Sequence, residues 1–264
     1  MGFSDLTLLG VEDLEKRFGG ILALTGYGIE IQKGELVGLI GPNGAGKTTV
    51  FNLVSGVLKP TRGRILFGGE DITHSRPDQN AILGLARTFQ NIRLFNELSV
   101  IDNIKVAFHM RTGEGLLQTL FHLPRFRDTE REMTRRALAL LELMGLHDLR
   151  NEPARNLPFG LQRKVEIVRA LATQPKLLLL DEPAAGMNTS ETEELIRTIG
   201  NIHKEYQLTI FLVEHDMKVV MNICQRIQVL DGGRVLTMGD PEQIQKDPRV
   251  IEAYLGSRRE ICDA

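Results

Sequence analysis

The octapeptide Gly41-Pro42-Asn43-Gly44-Ala45-Gly46-Lys47-Thr48 follows the apolar run Leu36–Ile40 and meets the pattern G-x-x-x-x-G-K-[ST] between a strand and a helix. Glycines at this spacing let backbone N–H groups turn toward phosphate oxygens, and the helix that follows, opening through Lys47, Thr48 and Thr49, adds the positive end of its dipole. Lys47 neutralises β- and γ-phosphates and Thr48 ligates Mg²⁺ in such a loop, so the implied ligand is ATP or GTP. A second run, Lys176-Leu177-Leu178-Leu179-Leu180-Asp181-Glu182-Pro183, reads as a strand buried on both faces that delivers two consecutive carboxylates to its C-terminal edge. Ligands of open α/β sheets bind at that edge. Asp181 is assigned to the metal, and Glu182, one residue beyond, to polarising a water for attack on the γ-phosphate.

The elements that must position these residues are legible as short β-like runs alternating with helical patterns, which argues for an α/β fold with a largely parallel sheet. Candidate strands cover residues 6–11, 36–40, 65–67, 177–180, 210–213, 227–230 and 235–238, several of them bounded by glycines. Between residues 91 and 160 the pattern turns mostly helical, with an amphipathic segment at 133–146, and reads as an insertion into the α/β core. The expected organisation is a nucleotide-binding core of residues 1–90 and 161–264 with an inserted helical subdomain of residues 91–160. Ser190, with Glu193 three residues on, predicts the start of a later helix through a capping box.

Composition excludes several classes. With 264 residues, 42% hydrophobic and 25% charged, the chain can bury a sizeable core and falls outside disordered and membrane-spanning compositions. Thirty-two basic against 34 acidic side chains leave a net charge of −2, so no basic field recommends nucleic acid as a partner. Two cysteines, Cys224 and Cys262, make neither a disulfide framework nor a metal spacing and suit a reducing compartment. Residues 1–5 lack a basic segment leading into an apolar one, and no apolar run approaches the roughly 18 residues of a membrane span. A cytosolic protein is expected.

The two motifs and their spacing resemble the ATP-binding cassette ATPase family, along nearly the whole chain. Arg87-Thr88-Phe89-Gln90 looks like that family's glutamine loop, Val213-Glu214-His215-Asp216 like its switch histidine, and Ala184-Ala185-Gly186-Met187-Asn188 like the loop through which two cassettes touch. The resemblance implies a P-loop NTPase fold of the RecA-like kind, with a mixed sheet core, an inserted α-helical subdomain and an N-terminal antiparallel β region. It also implies ATP and Mg²⁺ as cofactors, Gln90 and His215 as catalytic partners of Glu182, and Gln90 beside Thr48 and Asp181 at the metal. Phe18, 23 residues before Gly41, falls where the family places an aromatic that stacks on adenine. The family signature Leu-Ser-Gly-Gly-Gln is altered to Leu157-Pro158-Phe159-Gly160-Leu161, which keeps Gly160 but loses the serine. Pro158 supplies neither a hydroxyl nor an N–H, so a weaker grip on the nucleotide of a partner subunit is expected, with the helix of residues 162–173 still offering its positive end.

Within the family, residues 84–95 and 181–188 are similar to the ATP-binding subunit of bacterial branched-chain amino-acid importers, as are residues 116–127 and the tail from Pro241 to Gly256. That likeness implies transmembrane permease subunits as partners, a second cassette chain or a copy of this one completing an ATP sandwich, and an indirect link to a periplasmic or extracellular binding protein. It also implies residence on the cytoplasmic face of the inner (plasma) membrane. Residues 91–104 carry Ile92, Leu94, Phe95, Leu98, Val100 and Ile101 directly after Gln90 and are expected to dock a cytoplasmic helix of the permease. A related importer of urea, short amides or another amino acid is the alternative. Tandem or coiled-coil soluble cassettes do not fit 264 residues, and Glu182, Gln90 and His215 together argue against a small-molecule kinase.

Overall fold

The computed structural model describes residue 4 and residues 6–112 and 124–254, leaving aside the side chains of 109–112 and 124–128. The chain divides into two compact units, one of Met1–Arg87, Lys176–Glu182 and Ile199–Ala264, the other of Thr88–Pro175 and Pro183–Thr198. The first unit holds two sheets. A hairpin of β1 (Thr7–Phe18) and β2 (Ile21–Gln32) turns at Gly19-Gly20 and joins β4 (Arg62–Phe67) and β5 (Glu70–Asp71) in an antiparallel sheet of order β2-β1-β4-β5. The other sheet has order β10-β9-β3-β8-β7-β6, from β3 (Leu36–Ile40), β6 (Leu85–Arg87), β7 (Leu177–Asp181), β8 (Thr209–Val213), β9 (Arg226–Asp231) and β10 (Arg234–Gly239). Its strands run parallel except for β10 against β9.

Strands β3, β7 and β8 are buried at every residue, as their unbroken apolar runs require of the middle of a parallel sheet. Helix α1 (Lys47–Val54) presents Val50, Phe51, Leu53 and Val54 to a core shared with Leu9, Leu14 and Ile65 of one sheet and Leu179, Phe211 and Val213 of the other. The Phe51 and Phe211 rings meet at 5.0 Å between centroids. Burial on both sides holds the start of α1, and the loop ahead of it, against the ends of β3 and β7. The unit also contains α2 (Pro77–Leu83).

The second unit contains α3 (Val100–Thr112), α4 (Pro124–Leu143), α5 (Phe159–Ala172) and the first half of α6 (Thr189–Tyr206). The border expected at residue 160 falls inside α5, which packs Val165, Ile167, Val168 and Leu171 as buried side chains of one helix, and α5 with the chain to Pro175 goes with the second unit. Helix α6 begins earlier than its expected capping box. Asn188 Oδ1 accepts from the Glu191 N–H at 3.0 Å while Glu191 Oε2 accepts from the Asn188 N–H at 3.0 Å, so the box is Asn188 with Glu191 rather than Ser190 with Glu193. The first unit continues with α7 (Met217–Ile223) after β8 and α8 (Pro241–Lys246) after β10. No helix among the described residues is long and apolar enough to cross a membrane.

Candidate nucleotide site

At the end of β3 the chain turns through Gly41, where a Cβ atom would stand 2.0 Å from the Leu230 carbonyl oxygen, so only glycine fits. Gly46, at φ 106, caps α1 without any side-chain cap, and the first turn of α1 contains no acidic residue. Its leading N–H groups are therefore offered to an anion rather than consumed by the chain. Lys47 opens the helix, only 8% exposed, with Nζ donating to the carbonyls of Gly41 at 2.7 Å and Pro42 at 3.0 Å. Burial pushes its pKa down, an effect opposed by the negative charges of Glu182 and Asp181. Asn43, Gly44 and Thr48 are exposed along the rim, Ala45 is buried beneath, and Pro42 and Thr49 are half-buried.

The facing edge is built by β7. Asp181 Oδ2 accepts from Arg87 Nη2 at 2.8 Å, with the two side chains 4% and 6% exposed. Arg87 ends β6, and its Nη1 also donates to Asn52 Oδ1 at 2.8 Å and Ser55 Oγ at 2.9 Å on and just after α1. One guanidinium thus ties the helix behind the glycine loop to the carboxylate in front of it. Glu182 adopts φ 47, a left-handed conformation that costs a non-glycine residue on the order of 1–3 kcal/mol, and its N–H donates to the Val213 carbonyl at 2.9 Å. That turn brings its Oε2 to 3.9 Å from Nδ1 of the exposed His215. The buried Glu214 lies 3.8 Å from the same nitrogen and accepts from the His215 backbone N–H at 3.2 Å, fixing where the imidazole leaves β8.

Phe18 sits at the tip of the β1–β2 hairpin, 45% exposed, with Lys16 Nζ 5.2 Å from its ring centroid. An exposed ring that no core claims is available for stacking. Lys47, Asp181, Glu182 and His215 gather on the first unit, and Phe18 belongs to that unit too, whereas Gln90 and Gly160 belong to the second. There Phe89 and Gln90 give their carbonyl oxygens to Arg163 on α5, and Gly160 is the second residue of that helix, which Pro158 caps without a side-chain bond. The Phe159 ring lies against Gly186, where a Cβ would come within 3.1 Å of it. Among the described residues no cluster of three His, Cys, Asp or Glu forms an all-protein metal cage. An exposed threonine hydroxyl at a helix start and one carboxylate with its orientation fixed by Arg87 fit instead the sparse oxygen ligation that Mg²⁺ takes when phosphates complete its shell.

Sequence reasoning missed Arg87, whose partners lie far along the chain, and Tyr254, whose hydroxyl burial pushes up to about 12 against the opposing effect of the Gly41 backbone. Pattern reading offers no signal for either.

Residues 24–185 match the ABC transporter family and residues 234–260 a branched-chain amino acid ATP-binding cassette transporter family. The chain is 48% identical over 249 residues to the high-affinity branched-chain amino acid transport ATP-binding protein LivG of Escherichia coli, covering 94% of this chain and 98% of that one. It is 45% identical to BraF of Pseudomonas aeruginosa, a protein of the same description, at the same coverage. Among solved structures, an ATP-binding cassette of an ABC transporter in its ADP conformation superposes with a TM-score of 0.82 at 32% identity, covering 95% of this chain and 99% of that one. A dimeric cassette in a post-hydrolysis state with ADP and Pi superposes with a TM-score of 0.74 at 25% identity, covering 88% and 98%. A glycine loop backed by an uncapped helix and faced by a pinned aspartate is a phosphate-binding arrangement, and at this identity over this length the chain belongs to the ABC transporter family as an ATP-binding cassette.

Proposed function

We propose that this chain is the ATP-hydrolysing subunit of an importer of branched-chain amino acids, held against permease subunits at the cytoplasmic face of the membrane and paired with a second cassette chain or a copy of itself. The observation that carries the reading is 48% identity to LivG along 94% of the chain, joined by the C-terminal match at residues 234–260. A binding protein outside the membrane is the implied source of cargo.

The proposed hydrolytic roles rest on the chemistry of the phosphate loop and the acidic pair and, for Gln90, His215, Phe18 and Gly160, on the family resemblance. The N–H groups around Gly44–Lys47 and the start of α1 bind the β- and γ-phosphates, with Lys47 exchanging its loop carbonyls for phosphate oxygens. Thr48 and Asp181 would hold Mg²⁺, which would supply charge neutralisation to the leaving diphosphate. Glu182 orients and deprotonates the attacking water, and His215 beside it steadies the negative charge that develops. Phe18 stacks on the adenine. Gly160 and the N-terminal end of α5 offer N–H donors to the nucleotide of the partner cassette, a grip weakened by Pro158.

The docking segment divides by burial. Val100 and Ile104 are fully buried in the packing of their own unit, and Ile92, Leu94 and Ile101 are half-buried, whereas Phe95 and Leu98 are exposed and form the surface offered to a permease helix. Asn103 holds the segment in place, accepting from the Phe95 N–H at 2.9 Å and donating to the Phe95 carbonyl at 3.0 Å. The test is to isolate the chain with its membrane partners, reconstitute the complex, and measure ATP-dependent uptake of leucine, isoleucine and valine against urea and other amino acids. Uptake of urea alone would overturn the cargo and leave the ATPase reading intact. Phe95→Glu or Leu98→Glu, which puts a charge on that surface, should uncouple the permease without altering nucleotide affinity.

A further inference from the structure

Arg163 and Glu166 stand one turn apart on α5, 0% and 2% exposed, and are joined at 2.7 Å from Nη1 to Oε2. Their remaining bonds go to one stretch of backbone. Arg163 Nη1 donates to the Phe89 carbonyl at 2.5 Å and Nη2 to the Gln90 carbonyl at 2.6 Å, while Glu166 Oε1 accepts from the Phe89 N–H at 3.4 Å. The pair therefore claims both polar groups of Phe89 and the carbonyl of Gln90. Burying two charges is expensive, and well-packed apolar residues of similar volume stabilise a core equally well or better, so stability alone gives no reason for an ion pair here. A planar fork across two successive carbonyls does something an apolar side chain cannot, because it fixes direction as well as distance.

We propose that Arg163 and Glu166 are positioning residues that clamp the Phe89–Gln90 backbone to α5, so that the nucleotide-sensing Gln90 and the signature end of that helix at Gly160 move as one piece. The proposal rests on the reading of Gln90 given above. Gly160 lies three residues before Arg163 on the same helix, so the clamp and the signature glycine share one rigid turn. Any displacement of Gln90 then carries the donors of α5 with it, without any movement having to pass through side-chain packing. The signature here lacks its serine, so the placing of the remaining backbone donors matters more.

The test compares four variants of the full chain in its reconstituted complex. Arg163→Met combined with Glu166→Met removes the clamp without orphaning a charge, and is expected to unfold at a temperature no lower than the parent within a few degrees. Its affinity for a fluorescent ATP analogue should stay within about threefold, because the glycine loop is untouched, while kcat falls by at least about tenfold, as when a positioned group is released. Adding Gln90→Ala to it should cost no more than about twofold beyond that, since residues acting as a unit are not additive. Arg163→Lys keeps the charge beside Glu166 but has no fork; it should fold and lose turnover at unchanged nucleotide affinity, and it decides the matter if the double replacement does not fold. Parental kcat in either folded clamp variant, or a full multiplicative loss on adding Gln90→Ala, overturns the proposal. If Gln90→Ala alone turns over at the parental rate, the sensing role of Gln90 is wrong and the clamp's purpose falls with it. If Gln90→Ala is slow and the clamp variants are not, only the clamp is wrong.

Discussion

Replacing Arg87 by methionine withdraws the cation from a buried pair while keeping most of its volume. Its partner Asp181 is 4% exposed, so the carboxylate left behind cannot turn to water, and breaking a pair of this kind costs about 3–5 kcal/mol. The bonds from Nη1 to Asn52 and Ser55 go as well, at about 1 kcal/mol each. Against a total stability of roughly 5–15 kcal/mol the loss is large. With an unfolding slope of about 3 kcal/mol/M in urea, the midpoint should fall by more than about 1 M. The cause is testable by adding Asp181→Leu, which removes the orphaned charge and should restore most of the midpoint, although it destroys the metal position and serves as a stability probe alone. Arg87→Lys should fall between, because one ammonium cannot serve three acceptors in two directions. A midpoint for Arg87→Met within about 0.3 M of the parent, or a double variant no more stable than the single one, would refute the reasoning.

Glu182→Gln should bind ATP as the parent does and lose at least about 100-fold in kcat, whereas Lys47→Ala should weaken nucleotide binding itself; equal hydrolysis by Glu182→Gln in a phosphate-release assay removes that carboxylate from the chemistry. Gly41→Ala drives a methyl to 2.0 Å from the Leu230 carbonyl and should cost about 3 kcal/mol in urea unfolding, while Gly44→Ala, at φ 80 with open space around it, should cost about 1–2 kcal/mol from backbone conformation alone. Burial, reinforced by Glu214, pushes the Cys224 thiol up, so the folded state keeps a proton that the unfolded chain loses above about pH 8.5. Stability should therefore decline as pH rises past that point, and in a Cys262→Ser background Cys224 should resist alkylation until the protein unfolds, with Cys224→Ala flattening the decline over the same pH range.

The phosphate loop and the acidic pair were legible at the level of residue order because their chemistry is local. Only glycine turns a backbone as tightly as residues 41–46 require, and a run of four leucines ending in two acids is a buried strand reaching its edge. Strands β3, β7 and β8 were legible for the same reason, since burial on both faces writes itself as unbroken apolar residues. Strand β2 was not, because Gly26 and Gly28 interrupt its alternation, and the charges of Glu12 to Arg17 hid the second half of β1, which becomes a strand only by pairing with β2 and β4. The capping box of α6 appeared two residues late because Ser190 and Asn188 both satisfy the pattern, and only the backbone direction before the helix selects Asn188. What tertiary structure alone decided is where the buried charges go. Arg87 and Arg163 resemble any surface arginine in the sequence, and their partners, Asp181 and the Phe89–Gln90 carbonyls, lie 94 and more than 70 residues away along the chain. Local pattern can record that a charge exists, but the energy that allows it to be buried comes from groups the fold brings to within 3 Å, so both the orientation of Asp181 and the hold on Gln90 exist only once the chain has closed on itself.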